Sequence, residues 1–216
     1  EANAQASLTY GGYTALVYAT GILGGYIADT YLGYQRSIIL GGALIAVGMF
    51  VLLIPDLQWF LVGLAVIVAG NGLFKPNIST MVGALYAPQD ARRDSGFTIF
   101  YMGINAGAFV APIVCASVVG ARFGYQYGFL AAGLGMVLGI VVFHLLAGML
   151  GHIGKAPAGR EGIKPVLVVL VGAVAMVPLM WFLLSRSAVL GYVLIALMLF
   201  LVVYFSLPLR WRNAWI

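Results

Sequence analysis

Residues 58–86 read QWFLVGLAVIVAGNGLFKPNISTMVGALY, and Lys75 is the single charged residue in this run. A helix that crosses a bilayer needs about 20 mostly apolar residues, and this run is longer than that. It is too long for a β-strand, and the strands of a membrane barrel would alternate in polarity, which this run does not do. The run therefore predicts a membrane-spanning helix.

Apolar stretches of similar length lie on both sides of this one, and polar residues separate them. The predicted spans are Leu8–Ala28, Ser37–Ile54, Gln58–Tyr86, Phe97–Val119, Gly128–Leu150, Pro165–Leu184 and Ala188–Leu207. Of the 216 residues, 63% are hydrophobic and 8% are charged, whereas soluble domains are about 45–50% apolar and about 25% charged. The composition predicts an all-α polytopic membrane protein in contact with the lipid bilayer, and it excludes a soluble enzyme and a nucleic-acid binder.

The basic residues of the loops are distributed unequally between the two sides of the membrane. One side carries Arg36, Arg92, Arg93, Lys155, Arg160, Lys164, Arg210 and Arg212, and the other carries Arg122 and Arg186. Because Lys and Arg are enriched in cytoplasmic loops, the first side is predicted to be cytoplasmic and the N-terminus to lie outside. The sequence starts with Glu1 and not with Met, so we expect at least one further helix upstream.

Residues suited to catalysis or metal binding are sparse. Cys115 is the only cysteine, and His144 and His152 are the only histidines. These are too few for a Cys-based or His-rich metal site. No Ser/His/Asp triad, intramembrane carboxylate pair or phosphate loop is visible. We therefore expect no enzymatic activity, no catalytic residue, no metal and no cofactor.

Lys75 is the most informative polar residue. A lysine at the centre of a membrane helix costs about 2.5–3.5 kcal/mol, and such groups usually face a cavity or a partner. The alternative is a lysine close enough to the helix end to extend to the interface. Pro76 favours a kink at this point. Asn71, Lys75 and Ser79 follow at four-residue spacing, which places them on one helix face, whereas Asn77 points toward a neighbouring helix or the freed backbone.

Two further polar positions and two pairs of glycines stand out. Asn105 lies in FTIFYMGINAGAFVAP (97–112), where it could form a helix–helix hydrogen bond or face a hydrated cavity. Tyr18 could pack, lie at the membrane interface or line the same cavity. Glycines at four-residue spacing predict close helix packing, and they are Gly21 with Gly25 and Gly103 with Gly107.

The loop GGYIADTYLGYQRS (24–37) combines Gly25, Asp29, Gly33 and Arg36 at the predicted cytoplasmic end of the first span. Gly33 permits a sharp turn. Asp29 could cap the next helix, pair with a basic residue across the bundle, or simply be solvated. The combination is consistent with a cytoplasmic contact that changes as a transporter rocks.

Three stretches together resemble the proton-dependent oligopeptide transporter family of the major facilitator superfamily. They are residues 24–37, residues 70–86 and RRDSGFTIFYMGINAGAFVAP (92–112), and the resemblance covers about residues 8–150. It implies a partial major facilitator-type bundle, in which 1–152 are the second to sixth helices and 153–164 a basic cytoplasmic linker. Residues 165–216 resemble, by position and hydropathy, an inserted helical hairpin and the start of the next cytoplasmic segment. The first helix and the C-terminal half would be missing partners of this chain.

The resemblance also implies roles for single residues. Lys75 matches the family lysine that takes part in proton coupling and contacts the peptide carboxylate, and Asn105 and Tyr18 match peptide-binding positions. The family loop usually carries a basic residue after its aspartate, where this chain has Thr30. The resulting interpretation is part of a proton-coupled symporter for di- and tripeptides in a bacterial inner membrane. The alternatives are the same fold carrying nitrate or another small anion, and a non-transporting membrane scaffold.

Overall fold

The computed structural model describes residues 2–87 and 89–186, together with positions 189, 191, 192, 195, 196, 198, 199, 202 and 203. Most of the predicted span Ala188–Leu207, and the basic residues Arg210 and Arg212, lie outside the described residues. The helices are α1 (Ala2–Ile27), α2 (Tyr34–Val51), α3 (Leu57–Ala84), α4 (Arg92–Phe123), α5 (Tyr125–Leu150) and α6 (Lys164–Ser185). This part of the chain contains no strand, which confirms the predicted all-α class.

Among the residues described, five helices, α2 to α6, are long and apolar enough to cross a membrane. The helix α1 is long enough at 26 residues, but it is not one of the five. Tyrosine, threonine and glycine recur along its sequence, and these residues lower its mean hydropathy. The predicted span Leu8–Ala28 is thus a helix that is more polar than the others.

The core is arranged around α3. One buried cluster joins α3 to α1 and α6, and a second also reaches α2. The first consists of Leu16, Leu61, Ala65, Val68, Met180 and Leu184. The second consists of Leu32, Leu44, Leu73, Val169 and Ala173. Side chains at these positions exclude both lipid and water, so α1, α2, α3 and α6 form the packed part of the molecule.

The helices α4 and α5 form a more open pair. No residue of Arg92–Pro112 is buried, and α4 approaches α5 mainly through its π-helical segment Ile113–Gly120. An apolar cavity of about 910 Å³ is lined by α2, α3, α4 and α5. At the start of α4, the Asp90 carboxylate accepts a hydrogen bond from the Arg92 backbone N–H at 2.9 Å. Hydrogen bonds from the Arg92 side chain hold the pKa of Asp90 at about 2.

The prediction of close packing at two glycine pairs is wrong. A Cβ atom added at Gly21, Gly25, Gly103 or Gly107 would meet nothing within 4 Å. The close approaches lie at other glycines, where an added Cβ atom would overlap the backbone of a neighbouring helix. They are Gly24 against Gly72, Gly41 against Gly70, and Gly48 against Gly63. Four-residue spacing marks a face of a helix, but it does not show whether a neighbour covers that face.

Candidate functional site

Lys75 and Tyr18, which come from different helices, meet in the structure. The Nζ atom of Lys75 on α3 lies 4.4 Å from the centroid of the Tyr18 ring on α1. The negative face of an aromatic ring attracts a cation, with a contribution of about 0.5–1 kcal/mol when exposed and about 2 kcal/mol when desolvated. The contact places a positive charge on a membrane-spanning helix beside a ring that can also bind a ligand.

The two side chains lie on an open face of the bundle. Lys75 is exposed, and Tyr18 is 65% exposed. Within the described ranges, the ion pair present is Arg92 with Asp90 at 2.8 Å, in the α3–α4 loop. Lys75 therefore has no carboxylate partner among these residues, and its charge is available to an anion that approaches this face.

Ser79 and Asn77 of α3 point in different directions, as their spacing predicts. Ser79, one turn after Lys75, donates from Oγ to the Lys75 carbonyl at 3.3 Å. Asn77 points the other way and is fully buried. Its Nδ2 atom donates to the Gly24 carbonyl of α1 at 3.1 Å and to the Leu73 carbonyl at 2.8 Å. Asn77 thus links α3 to α1, as the prediction of a neighbouring-helix contact requires.

Asn105 is not brought to the same point. Its Nδ2 atom donates to the Tyr101 carbonyl within α4 at 2.8 Å, and its side chain is exposed. In the described part of the chain, no hydrogen bond joins Asn105 to Lys75 or Tyr18. The interhelical hydrogen bond considered for Asn105 is therefore not formed here. Its role in peptide binding stays a prediction.

The larger cavities of the molecule are apolar and lie away from these residues. The cavity of about 910 Å³ lies between α2–α3 and α4–α5. Another, of about 710 Å³, lies where α1, α2 and α3 meet. A third, of about 440 Å³, lies between α1, α3 and α6. Tyr18, Lys75 and Asn105 line none of the three cavities, and all three side chains are exposed.

The predicted loop motif forms a tight turn between α1 and α2. Gly33 has a φ of 75°, which L side chains rarely adopt, and it packs against the backbone of Lys155. The Asp29 carboxylate accepts a hydrogen bond from the Tyr34 hydroxyl at 2.8 Å. Among the described residues, Asp29 neither caps α2 nor forms an ion pair with a basic residue, and Tyr34 is its hydrogen-bond partner.

Arg36, and not Asp29, makes the long-range contact of this motif, and its partners are backbone carbonyls. Its guanidinium donates to the carbonyls of Gly162 at 2.9 Å, Arg160 at 3.3 Å and Glu161. Gln35 adds a hydrogen bond to the Ile153 carbonyl at 2.7 Å. The predicted cytoplasmic linker is thereby attached to the start of α2, and the two predicted cytoplasmic loops lie at the same end of the molecule.

Sequence reasoning missed part of this contact. The guanidinium of Arg160 lies 3.9 Å from the centroid of the Tyr31 ring, and this contact was not predicted from the sequence. The partners of Gln35 and Arg36 are 118 to 126 residues away along the chain. No local spacing carries such a signal. Only the basic character of the linker could have pointed to it.

Comparison with known proteins gives consistent results over most of the chain. The POT family (PTR2) matches residues 35–180. Dipeptide and tripeptide permease B of Salmonella typhimurium is 35% identical over 206 residues, which are 93% of this chain and 42% of that protein. The di-/tripeptide transporter of Lactococcus lactis is 44% identical over 164 residues, which are 75% of this chain and 32% of that protein.

Solved structures agree with these sequence matches. A crystal structure of a mutant of the peptide transporter POT in complex with alafosfalin is 39% identical with a TM-score of 0.74, covering 97% of this chain and 45% of that one. A bacterial homologue of the human drug peptide transporters PepT1 and PepT2 is 29% identical with a TM-score of 0.82, covering 93% and 45%. The chain thus spans less than half the length of these relatives.

Proposed function

The chain belongs to the POT family, and from this we propose that it forms one part of a proton-coupled transporter of di- and tripeptides in a bacterial inner membrane. The relatives described above are named as di- and tripeptide permeases or transporters. They lend no support to the alternatives of a nitrate carrier or a scaffold. Because the chain covers 42% of the permease B sequence, the proposal assigns it one side of a larger transport site.

The observation that carries the proposal is the ammonium of Lys75, which lies beside Tyr18 and has no carboxylate partner among the described residues. Short peptides are zwitterions, so a site that takes them into the membrane needs a cation for the peptide carboxylate. Lys75 provides that cation on an apolar helix, and the Tyr18 ring is 4.4 Å away. A lysine in such a position is otherwise costly, which favours a function for it.

Proton coupling follows from the same charge. An ammonium on a membrane helix is stabilised by an anion that stays near it. We assign that anion alternately to the peptide carboxylate and to an acid on the first helix of the transporter, which would lie outside this chain. Protonation of the acid would release Lys75 to bind the peptide, and deprotonation would compete with the peptide for Lys75. Asn105 would add a neutral hydrogen bond to the peptide.

The rest of the chain is assigned in the same way. Residues 1–152 would be helices of the N-terminal half, 153–164 the cytoplasmic linker, and 165–216 the inserted hairpin and the start of the following cytoplasmic segment. The hydrogen bonds of Arg36 to the carbonyls of residues 160–162 support a linker that is held against the α1–α2 turn. This contact would keep the cytoplasmic ends of α1, α2 and α6 together as the transporter rocks.

The experiment that tests this function uses the protein encoded by the complete gene that contains this sequence. The purified protein is placed in liposomes with an imposed pH gradient, and uptake of labelled alanylalanine is measured. We expect uptake that depends on the gradient. Unlabelled alanylalanine should compete at least about tenfold better than its C-terminal amide, because a hydrogen bond to a charged group contributes about 1.5–3 kcal/mol. Absence of gradient-driven uptake, or equal competition by the amide, would contradict the proposal.

A further inference from the structure

The contact between α1 and α3 is made by small and polar residues on the buried sides of both helices. The Thr20 hydroxyl of α1 donates to the Leu16 carbonyl of its own helix at 2.9 Å and lies 3.3 Å from the Val68 carbonyl of α3. Asn77 of α3 donates to the Gly24 carbonyl of α1 at 3.1 Å. Both side chains are buried. The Asn77 hydrogen bond therefore connects the two helices, and Thr20 packs against α3 nine residues before Asn77.

Backbone contact between the two helices leaves little freedom. A Cβ atom at Gly24 would overlap the Gly72 carbonyl, and one at Gly72 would come within 2.8 Å of the Thr20 carbonyl oxygen. Pro76 has no N–H, so the Gly72 carbonyl lacks its usual helical donor, and the Cα of Gly24 lies against it. Two glycines and the Asn77 hydrogen bond fix both the distance and the rotation of α1 on α3.

The rotation of α1 matters because Tyr18 is on its other side. Tyr18 precedes Thr20 by two residues, and Lys75 precedes Asn77 by two residues, which is about 200° around each helix. The buried contacts are thus made on one side of the helix pair, while the Lys75–Tyr18 contact is made on the other. A shift of one residue would rotate α1 by about 100° and carry the Tyr18 ring away from Lys75.

We propose that Asn77 is a positioning residue, which holds α1 through the Gly24 carbonyl and thereby keeps the Tyr18 ring over the Lys75 ammonium. Asn77 is fully buried, so it acts without touching the peptide. Among the described residues its Oδ1 atom has no hydrogen-bond partner, so the contribution of the amide lies in the two bonds that Nδ2 donates. The inference rests on the proposed function only where it concerns peptide binding, and its geometric part stands alone.

The first test measures geometry in the protein encoded by the complete gene. Spin labels are attached to cysteines at the exposed positions Ile22 of α1 and Thr80 of α3, in a Cys115→Ser background. We expect Asn77→Leu to shift or broaden the distance distribution between the labels by several ångströms, since it removes both donated bonds. An unchanged distribution in folded Asn77→Leu protein would overturn the inference. If Asn77→Leu does not fold, Asn77→Ala replaces it with the same expected shift, and Thr14→Val serves as the control, because Thr14 donates to the Tyr10 carbonyl of its own helix.

The second test measures alanylalanine binding to the unlabelled protein and its variants. Asn77→Leu and Tyr18→Leu should each weaken binding by about 2- to 5-fold. The double variant should bind alanylalanine no more weakly than the single variant that binds it more weakly, because both changes remove the same contact. Effects that multiply would overturn the positioning role. If the spin-label distance shifts while the wild-type protein does not bind alanylalanine, the proposed function fails and the positioning contact stands.

Discussion

Lys75 could be predicted as a functional residue from the sequence. The free-energy cost of a lysine in an apolar helix is large, and it can be recognised without knowing which residues surround the side chain. Tyr18 could not be selected with the same force, since a tyrosine in a membrane helix is common at interfaces and in packing. The family resemblance singled it out, and the structure places its ring 4.4 Å from the Lys75 ammonium. Asn105 shows the limit at this scale: its spacing is clear, but nothing in the described residues joins it to Lys75.

The ring of Tyr18, and not its hydroxyl, is expected to matter for Lys75. Tyr18→Leu removes the aromatic face and should weaken dipeptide binding by about 2- to 5-fold, as expected for a partly exposed cation–π contact of about 0.5–1 kcal/mol. Tyr18→Phe keeps the ring and should bind like the wild type. Binding is measured by calorimetry on the purified protein. Equal loss in both variants would show that the hydroxyl is the important group.

At the scale of the helices, the sequence predicted their existence well and their contacts poorly. Hydropathy and length located α2 to α6, because each of them must be apolar over about 20 residues. Glycine spacing predicted the wrong packing faces, since Gly21 and Gly25 lie on the open side of α1 while Gly24 meets α3. Which side of a helix is covered depends on its neighbours, and the sequence of that helix alone does not contain this information.

Gly24 and Gly21 provide a matched pair for testing the α1–α3 contact. Gly24→Ala places a methyl group into the Gly72 carbonyl and should destabilise the protein by about 1–3 kcal/mol. Gly21→Ala adds a methyl group in open space and should be neutral or stabilising by up to about 1 kcal/mol. Thermal unfolding in detergent should therefore give a lower Tm for Gly24→Ala only. A lower Tm for Gly21→Ala and an unchanged one for Gly24→Ala would mean that the helices pack differently.

At the scale of the whole molecule, the structure adds two arrangements that hydropathy could not predict. The helix α6 packs against α1 and α3 through Val169, Ala173, Met180 and Leu184. The linker before it is attached to the α1–α2 turn by Arg36 and Gln35. Both depend on contacts between distant parts of the chain. They also place the α1–α2 and α5–α6 connections at one end, as the distribution of basic residues requires.

The orientation of the whole bundle is tested by labelling from outside. Single cysteines are introduced at positions 56, 92, 155 and 186 in a Cys115→Ala background and treated with an impermeant thiol reagent in intact cells. We expect labelling at 56 and 186 and protection at 92 and 155, because the basic loops remain inside. Labelling at 92 and 155 in cells with an intact membrane would show that the orientation is the reverse of the predicted one.

The central claim is that the charge of Lys75 couples proton movement to peptide binding, and uptake by Lys75 variants tests it most directly. The protein encoded by the complete gene is placed in liposomes, and uphill uptake driven by a pH gradient is compared with peptide-driven counterflow. Lys75→Ala should abolish uphill uptake. Lys75→Arg should keep part of the counterflow but lose most uphill uptake, because a guanidinium pairs with a carboxylate through two parallel hydrogen bonds and should hold the acid too tightly for the peptide to replace it. Uphill accumulation of dipeptide by Lys75→Ala at the wild-type rate would contradict the account.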